Sequence, residues 1–178
     1  ITTVSSQLIN IASFEASGID VEARYLWNLN SGDSVDFSFI GTYLDKLDFF
    51  AQEGQGAPDS EAGELGDPEL QFNLRATYTR NSLDLSLEQR FFSSMEFDLG
   101  ESAELRSPRE TGDQWYTDVQ LRYGIGDSLQ LFIGINNLFD NEPPAIALVP
   151  ETRAFGDDAI IYDQIGRYLY AGVRYDLF

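Results

Sequence analysis

Carboxylates are the most abundant reactive groups in this sequence: thirty Asp and Glu stand against eleven Lys and Arg, with no histidine and no cysteine. That composition removes thiol nucleophiles, Ser-His-Asp relays, disulfides and zinc sites built from His and Cys. Three chemistries stay open. Adjacent acids such as Asp157-Asp158 are of the type used by a glycosidase pair. Nothing places them in a dry cleft that would raise one pKa, so no enzymatic role is expected. Clustered acids also suit a hard cation such as calcium. No D-x-[DN]-x-[DN]-G spacing occurs, so a solvated acidic surface is expected, with no metal and no cofactor. Finally, Phe49, Phe50, Phe97, Phe155 and Tyr162 lie in segments that read as loops. Their rings suit stacking on a sugar or a planar ligand, or packing of one loop against another. A net charge of −19 disfavours nucleic acid, whose binding rests on Lys and Arg meeting phosphate.

The elements that would position these groups read as strands. Period-2 alternation recurs along the chain, and helical periodicity does not. Ile19, Val21, Ala23, Tyr25 and Trp27 alternate with Asp20, Glu22, Arg24, Leu26 and Asn28. Val35, Phe37, Phe39, Gly41 and Tyr43 continue the apolar set. Leu70 to Tyr78, Leu83 to Leu87, Trp115 to Tyr123, Leu129 to Ile135 and Leu169 to Tyr175 each repeat the pattern. With a shorter strand near Val4–Asn10, seven or eight strands are expected. No run of about 18 apolar residues exists, so no helix is expected to cross a membrane. Ile1 opens an ordinary polar stretch with no leader pattern.

The connections sort by length. Short turns fall near Leu29–Asp33, Asn81–Ser82 and Gly124–Asp127; long loops fall near Asp45–Glu69, Glu96–Asp113 and Phe139–Gln164. In an antiparallel meander, alternate connections lie at opposite ends, so all the long loops share one end. The three long loops hold twenty of the thirty acids and four of the eleven bases. Arg24, Arg75, Arg90, Arg122 and Arg174 instead fall on the polar strand face. The apolar face carries no charge between the strand ends. Aromatic residues gather in two bands: Tyr25, Trp27, Tyr78, Tyr123 and Tyr175 toward the short turns, and Tyr43, Phe91, Trp115 and Phe139 toward the long loops. An all-β antiparallel transmembrane barrel explains this sorting; cross-strand packing in a soluble sheet explains the aromatics alone.

Three segments resemble a known family. Leu131-Phe-Ile-Gly-Ile-Asn-Asn-Leu-Phe-Asp-Asn-Glu-Pro-Pro144 resembles the G-x-x-N-L-F-D-x-x-P segment of TonB-dependent receptors. Residues 162–178 resemble their final strand, with Gly166 and Arg167 in a Y-D-x-x-G-R pattern and a terminal Phe178. Asn10 to Tyr25 resembles their N-to-G-x-[DE]-x-E hairpin. The resemblance makes Asn137, Leu138, Phe139 and Asp140 the family motif. It makes Gly166, Arg167, Tyr175 and Phe178 part of a terminal strand read by the outer-membrane insertion machinery. Phe178 lies one residue out of phase with Leu169, Ala171, Val173, Tyr175 and Leu177, which a terminal bulge would restore.

Membership implies that residues 1–178 are the C-terminal part of a roughly 22-stranded barrel. The plug domain of such receptors is absent from this chain, and about seven or eight strands leave two unpaired edges. The implied location is the Gram-negative outer membrane, among lipid and lipopolysaccharide. The implied function is energised uptake of a bulky scarce solute, driven by the TonB complex through a region N-terminal to this one. The family's substrates include siderophores, haem, cobalamin and oligosaccharides. Acid-rich loops and the lack of histidine favour an uncharged organic ligand, with a siderophore as the alternative. No residue is assigned as a substrate contact. Two other readings compete: a soluble β-sandwich binding module, and a complete eight-stranded outer-membrane protein.

Overall fold

The alternation becomes one antiparallel sheet. The computed structural model describes residues 13–29, 32–50, 56–97, 109–144 and 161–176. Within them lie β1 (Ser13–Asn28), β2 (Ser34–Phe50), β3 (Asp59–Ser60), β4 (Leu70–Arg80), β5 (Leu83–Phe92), β6 (Gln114–Ile125), β7 (Leu129–Asn136) and β8 (Tyr168–Tyr175). The order is β1-β2-β4-β5-β6-β7-β8, with β3 attached to the upper part of β2. All strand pairings are antiparallel, and apart from the two-residue β3 between β2 and β4 they join strands consecutive along the chain. Among the described residues β1 and β8 do not pair, so the sheet has two free edges. The expected strand near Val4–Asn10 lies outside the described residues.

Register joins the apolar faces of successive strands into one surface. Val21 meets Gly41, Gly41 meets Phe72, and Phe72 meets Phe91, which meets Trp115. Lower down, Trp27, Val35, Tyr78, Leu85, Leu121 and Ile133 form another row. This surface is uncovered: Tyr25 is 64% exposed, Val173 65% and Leu169 63%. Among the described residues only five hydrophobic side chains are buried, and of these only Phe91 lies on the apolar face. A sandwich would cover this face, and water would penalise leaving so large an apolar patch open. Lipid is the solvent it suits.

Strand lengths agree. The eleven residues of β4 span roughly 33 Å along the strand, or about 25 Å of membrane height at barrel tilt. Two aromatic rows bound that height. Phe39, Phe72, Phe91 and Trp115 are neighbours at the long-loop end, with ring centroids 5.8, 5.0 and 4.4 Å apart in turn. Trp27, Tyr78 and Tyr123 lie toward the short-turn end. Gln89 and Thr117 are polar exceptions on the apolar face. Thr117 Oγ1 donates to Gln89 Oε1 at 2.7 Å, and Gln89 Nε2 donates to the Tyr116 carbonyl at 3.1 Å. Such mutual satisfaction is what a lipid-facing amide requires.

Two expectations need correction. The first long loop does not start at Asp45, because β2 runs on to Phe50 and β1 begins at Ser13 rather than Ile19. The alternation slips where β1 and β2 leave the membrane, so a strict period-2 reading stops there. A bulge between Ser17 and Gly18 skips Asp45 in the register. Beyond it, the outward face of this taller hairpin turns polar. Lys46 Nζ lies 2.6 Å from Glu15 and 3.3 Å from Asp48. A Cβ at Gly18 would strike the Tyr43 carbonyl, so the bulge needs glycine.

Candidate functional site

The opposite face of the sheet is polar, and most of its basic side chains pair with carboxylates, largely across strands. Arg24 bonds Asp36 at 2.6 Å, Thr42 Oγ1 donates to Asp20 at 2.7 Å, and Asn73 and Arg75 both donate to Glu88. Thr77 meets Ser86 at 3.0 Å, and Thr79 donates to Asp84 at 2.8 Å. Arg90 lies 3.4 Å from Asp118 and 3.9 Å from Asp163, with its guanidinium 5.2 Å from the centre of the Tyr116 ring. Antiparallel register produces this ladder, because residues of like parity on neighbouring strands share a face. The ladder is solvated and faces the concave side that a closed barrel would enclose.

The long loops fold inward over the top of this face. Leu65 from the first loop, Met95 from the second, Tyr116 from β6 and Tyr162 from the third form a small core. Tyr116 is 0% exposed and Met95 1%. Phe92, Phe97 and Ile161 pack around it. Backbone bonds tie the first loop to the second (Glu96 N–H to the Gly63 carbonyl, 2.8 Å) and close the base of the second (Thr111 N–H to the Met95 carbonyl, 2.9 Å). Burial pushes the Tyr162 hydroxyl pKa up. Tyr162 and Phe97 therefore pack loops rather than present rings to a ligand. Phe49 packs against Phe14, ring centroids 4.7 Å apart and planes tilted by 52°, and Phe155 lies outside the described residues.

The motif residues come together at the base of the third loop. Asn137, fully buried, adopts a left-handed backbone with φ 50°. Its side chain donates to the Asn141 carbonyl and accepts the Asn141 N–H, both at 2.9 Å. Its own N–H donates to Asp118 Oδ1 at 2.7 Å. Leu138 N–H bonds the Thr117 carbonyl at 2.7 Å, fastening the loop start to β6. Asp140 accepts the Arg167 N–H at 2.7 Å and lies 3.3 Å from its guanidinium. That backbone bond, helped by the nearby positive charge, holds the Asp140 carboxyl below its usual range. Gly166 precedes Arg167 at φ 77°, where a side chain would be strained, and a Cβ there would come within 3.0 Å of Asp140 Oδ1. So Asn137 and Asp140 join Gly166 and Arg167 in one clasp across the β7–β8 connection. Phe139 projects outward, 67% exposed. Tyr175 stands apart, opposite Leu129 on the apolar face at the far end of β8, and Phe178 lies outside the described residues. Among the described residues no group of acids is arranged to hold a metal.

Sequence reading missed Asn141, the partner of Asn137, whose amide also donates to the Trp115 carbonyl at 2.6 Å. It also missed two pairs on the polar face, Tyr170 against Gly134 and Phe132 against Gly172. Only cross-strand register brings these together.

The model of the TonB-dependent receptor-like β-barrel family matches residues 1–138. The chain belongs to the TonB-dependent receptor barrel family. No curated protein matches it. Among solved structures it is similar to a closed form of the ferric-catecholate import receptor Fiu from E. coli K12. The identity is 20% and the TM-score 0.42, covering 70% of this chain and 20% of that one. The chain thus spans about a fifth of that receptor's length. Membership identifies the exposed apolar face as the lipid surface, the paired polar face as lumen wall and the location as the Gram-negative outer membrane. The TonB-dependent receptor family is one of receptors and transporters, not of enzymes. The family match stops at Leu138, so Phe139, Asp140 and the terminal strand lie beyond it.

Proposed function

We propose that this chain is the C-terminal part of the barrel of an outer-membrane receptor that takes up a bulky scarce solute, a siderophore, an oligosaccharide or similar. Uptake is energised by the TonB complex acting on an N-terminal region of the same receptor. One observation carries the reading: a single sheet with an uncovered apolar face, a charge-paired polar face and two free edges, as a segment of wall requires. The free edges also favour a larger barrel over a complete eight-stranded protein, since open edges in a membrane leave backbone groups unpaired. The chain supplies lumen wall and extracellular loops, and the solute passes through the assembled receptor. Gly166, Arg167, Tyr175 and Phe178 belong to the C-terminal assembly signal that the insertion machinery engages. Asn137 to Asp140 fasten the preceding loop to that segment. Lipid and lipopolysaccharide surround the outer face.

Mass spectrometry of the native gene product in isolated outer membranes tests the architecture. A product several times this length, with peptides upstream of Ile1, is expected. A product ending near this length overturns the receptor reading. Solute uptake that persists after the proton-motive force is collapsed would overturn the energised step.

A further inference from the structure

The β7–β8 stretch of lumen wall differs from the rest. Ion pairs dominate the face elsewhere, but here Tyr168, Tyr170 and Phe132 follow one another down the wall. The Tyr168 and Tyr170 rings are nearly parallel, with centroids 6.3 Å apart, and the Tyr170 and Phe132 centroids are 6.4 Å apart. Register sets Tyr170 opposite Gly134 and Phe132 opposite Gly172. A Cβ on either glycine would run into the facing ring, so both rings lie against bare backbone. The neighbouring strand lies against one side of each ring, and both side chains stay partly exposed on the polar face, their planes tilted by 55° to one another. Tyr168, half exposed, continues the track toward the extracellular end.

Polar groups border the track. Gln120 Nε2 donates to the Tyr170 hydroxyl at 2.9 Å, which fixes that ring. Asn136 and Tyr170 line a concavity of about 300 Å³ in which Arg75 and Arg122 are balanced by Glu88 and Asp118. Flat apolar rings beside neutral amides match a pyranose, whose CH face is apolar and whose rim is hydroxyl. Arg24, Arg75, Arg90 and Arg174 are paired with carboxylates; Arg122 has no such pair and a buried Nε without a hydrogen-bond partner, but the two acids and two bases lining the concavity leave it no net charge to attract an anion.

We propose that this track binds a neutral oligosaccharide, stacking its sugar rings on Tyr170, Phe132 and Tyr168 beside the amides of Gln120 and Asn136. The proposal rests on the uptake reading above and names its substrate class.

The test uses the full-length receptor purified in detergent, presented to immobilised neutral and acidic glycans, with the strongest binder then titrated in solution. Binding of neutral glycans is expected. Tyr170→Ala and Phe132→Ala should each weaken it about 3- to 10-fold, the scale of an aromatic stacking contact. Tyr170→Phe, which keeps the ring, should stay within about twofold of the natural protein. Heat-modifiable gel mobility checks that each barrel has assembled. Should either alanine variant fail that check, Tyr168→Ala, whose ring faces no glycine, reads the same loss. Binding of no neutral glycan, preference for acidic glycans, or unchanged binding in assembled Tyr170→Ala and Phe132→Ala receptors overturns the proposal. In that last case the rings hold hairpin register or meet another part of the receptor. Glycan binding without energised uptake in cells would refute the uptake reading and leave the sugar site standing.

Discussion

Asn137→Ala should cost about 3 kcal/mol locally, at the point where the third long loop leaves the barrel wall. The sum has two parts. Asn137 exchanges two side-chain hydrogen bonds with the Asn141 backbone, both 2.9 Å long, in a position with no exposure to water. Each is worth about 1 kcal/mol, more where the abandoned backbone group finds no replacement. The left-handed backbone, φ 50°, adds about 1 kcal/mol for a residue with a Cβ and no local polar bond. Hydrogen exchange at the Asn141 amide reads the opening directly, and 3 kcal/mol corresponds to about 100-fold faster exchange. Asn137→Asp keeps an acceptor for the Asn141 N–H and tolerates the backbone, so it should show about a third of the effect. Acceleration below about fivefold in Asn137→Ala would mean that the Asn141 backbone is held by something else, and the clasp argument would be wrong.

Other outcomes follow from the same geometry. Leu87→Arg, in the middle of the lipid face, should cost about 2–4 kcal/mol in refolding titrations into lipid vesicles, whereas Ser86→Arg on the lumen side should cost under about 1; equal costs would remove the assignment of faces. Gly134→Ala should lower the yield of assembled barrel by driving a methyl group into the Tyr170 ring, and Tyr170→Ala in the same chain should restore it; absence of rescue on heat-modifiable gels would count against the pairing. Because Asp140 binds its proton less readily when folded, the stability it lends is present above the ordinary carboxylate range near pH 4 and is lost as pH falls through its lower folded value. The protection of the Arg167 amide, its exchange measured against the unstructured rate at the same pH, should therefore fall in acid, and Asp140→Asn should remove that pH dependence.

Much of this protein was legible in its sequence because a barrel wall has only two faces. Alternation placed Leu83, Leu85 and Leu87 on one side and Asp84, Ser86 and Glu88 on the other, and the register keeps them there. Turn residues placed Asn81–Ser82 at the short end, and the motif Asn137 to Asp140 marked the end of β7. All these signals are local, carried by residues a few positions apart. What alternation cannot supply is height and partner. It stopped at Ile19 and Leu44 because one bulged residue, Asp45, carries the hairpin past the membrane while shifting its phase. It left ligand stacking open for Tyr162 and Phe97 while favouring packing, and the meeting of three loops over Tyr116 and Met95 decided for packing. It gave Gly134 and Tyr170 no connection, since they lie on different strands and touch only through register. Pattern along a strand fixes which side a residue faces; which residue it faces depends on how the strands slide past one another, and that is settled only when the whole sheet has formed.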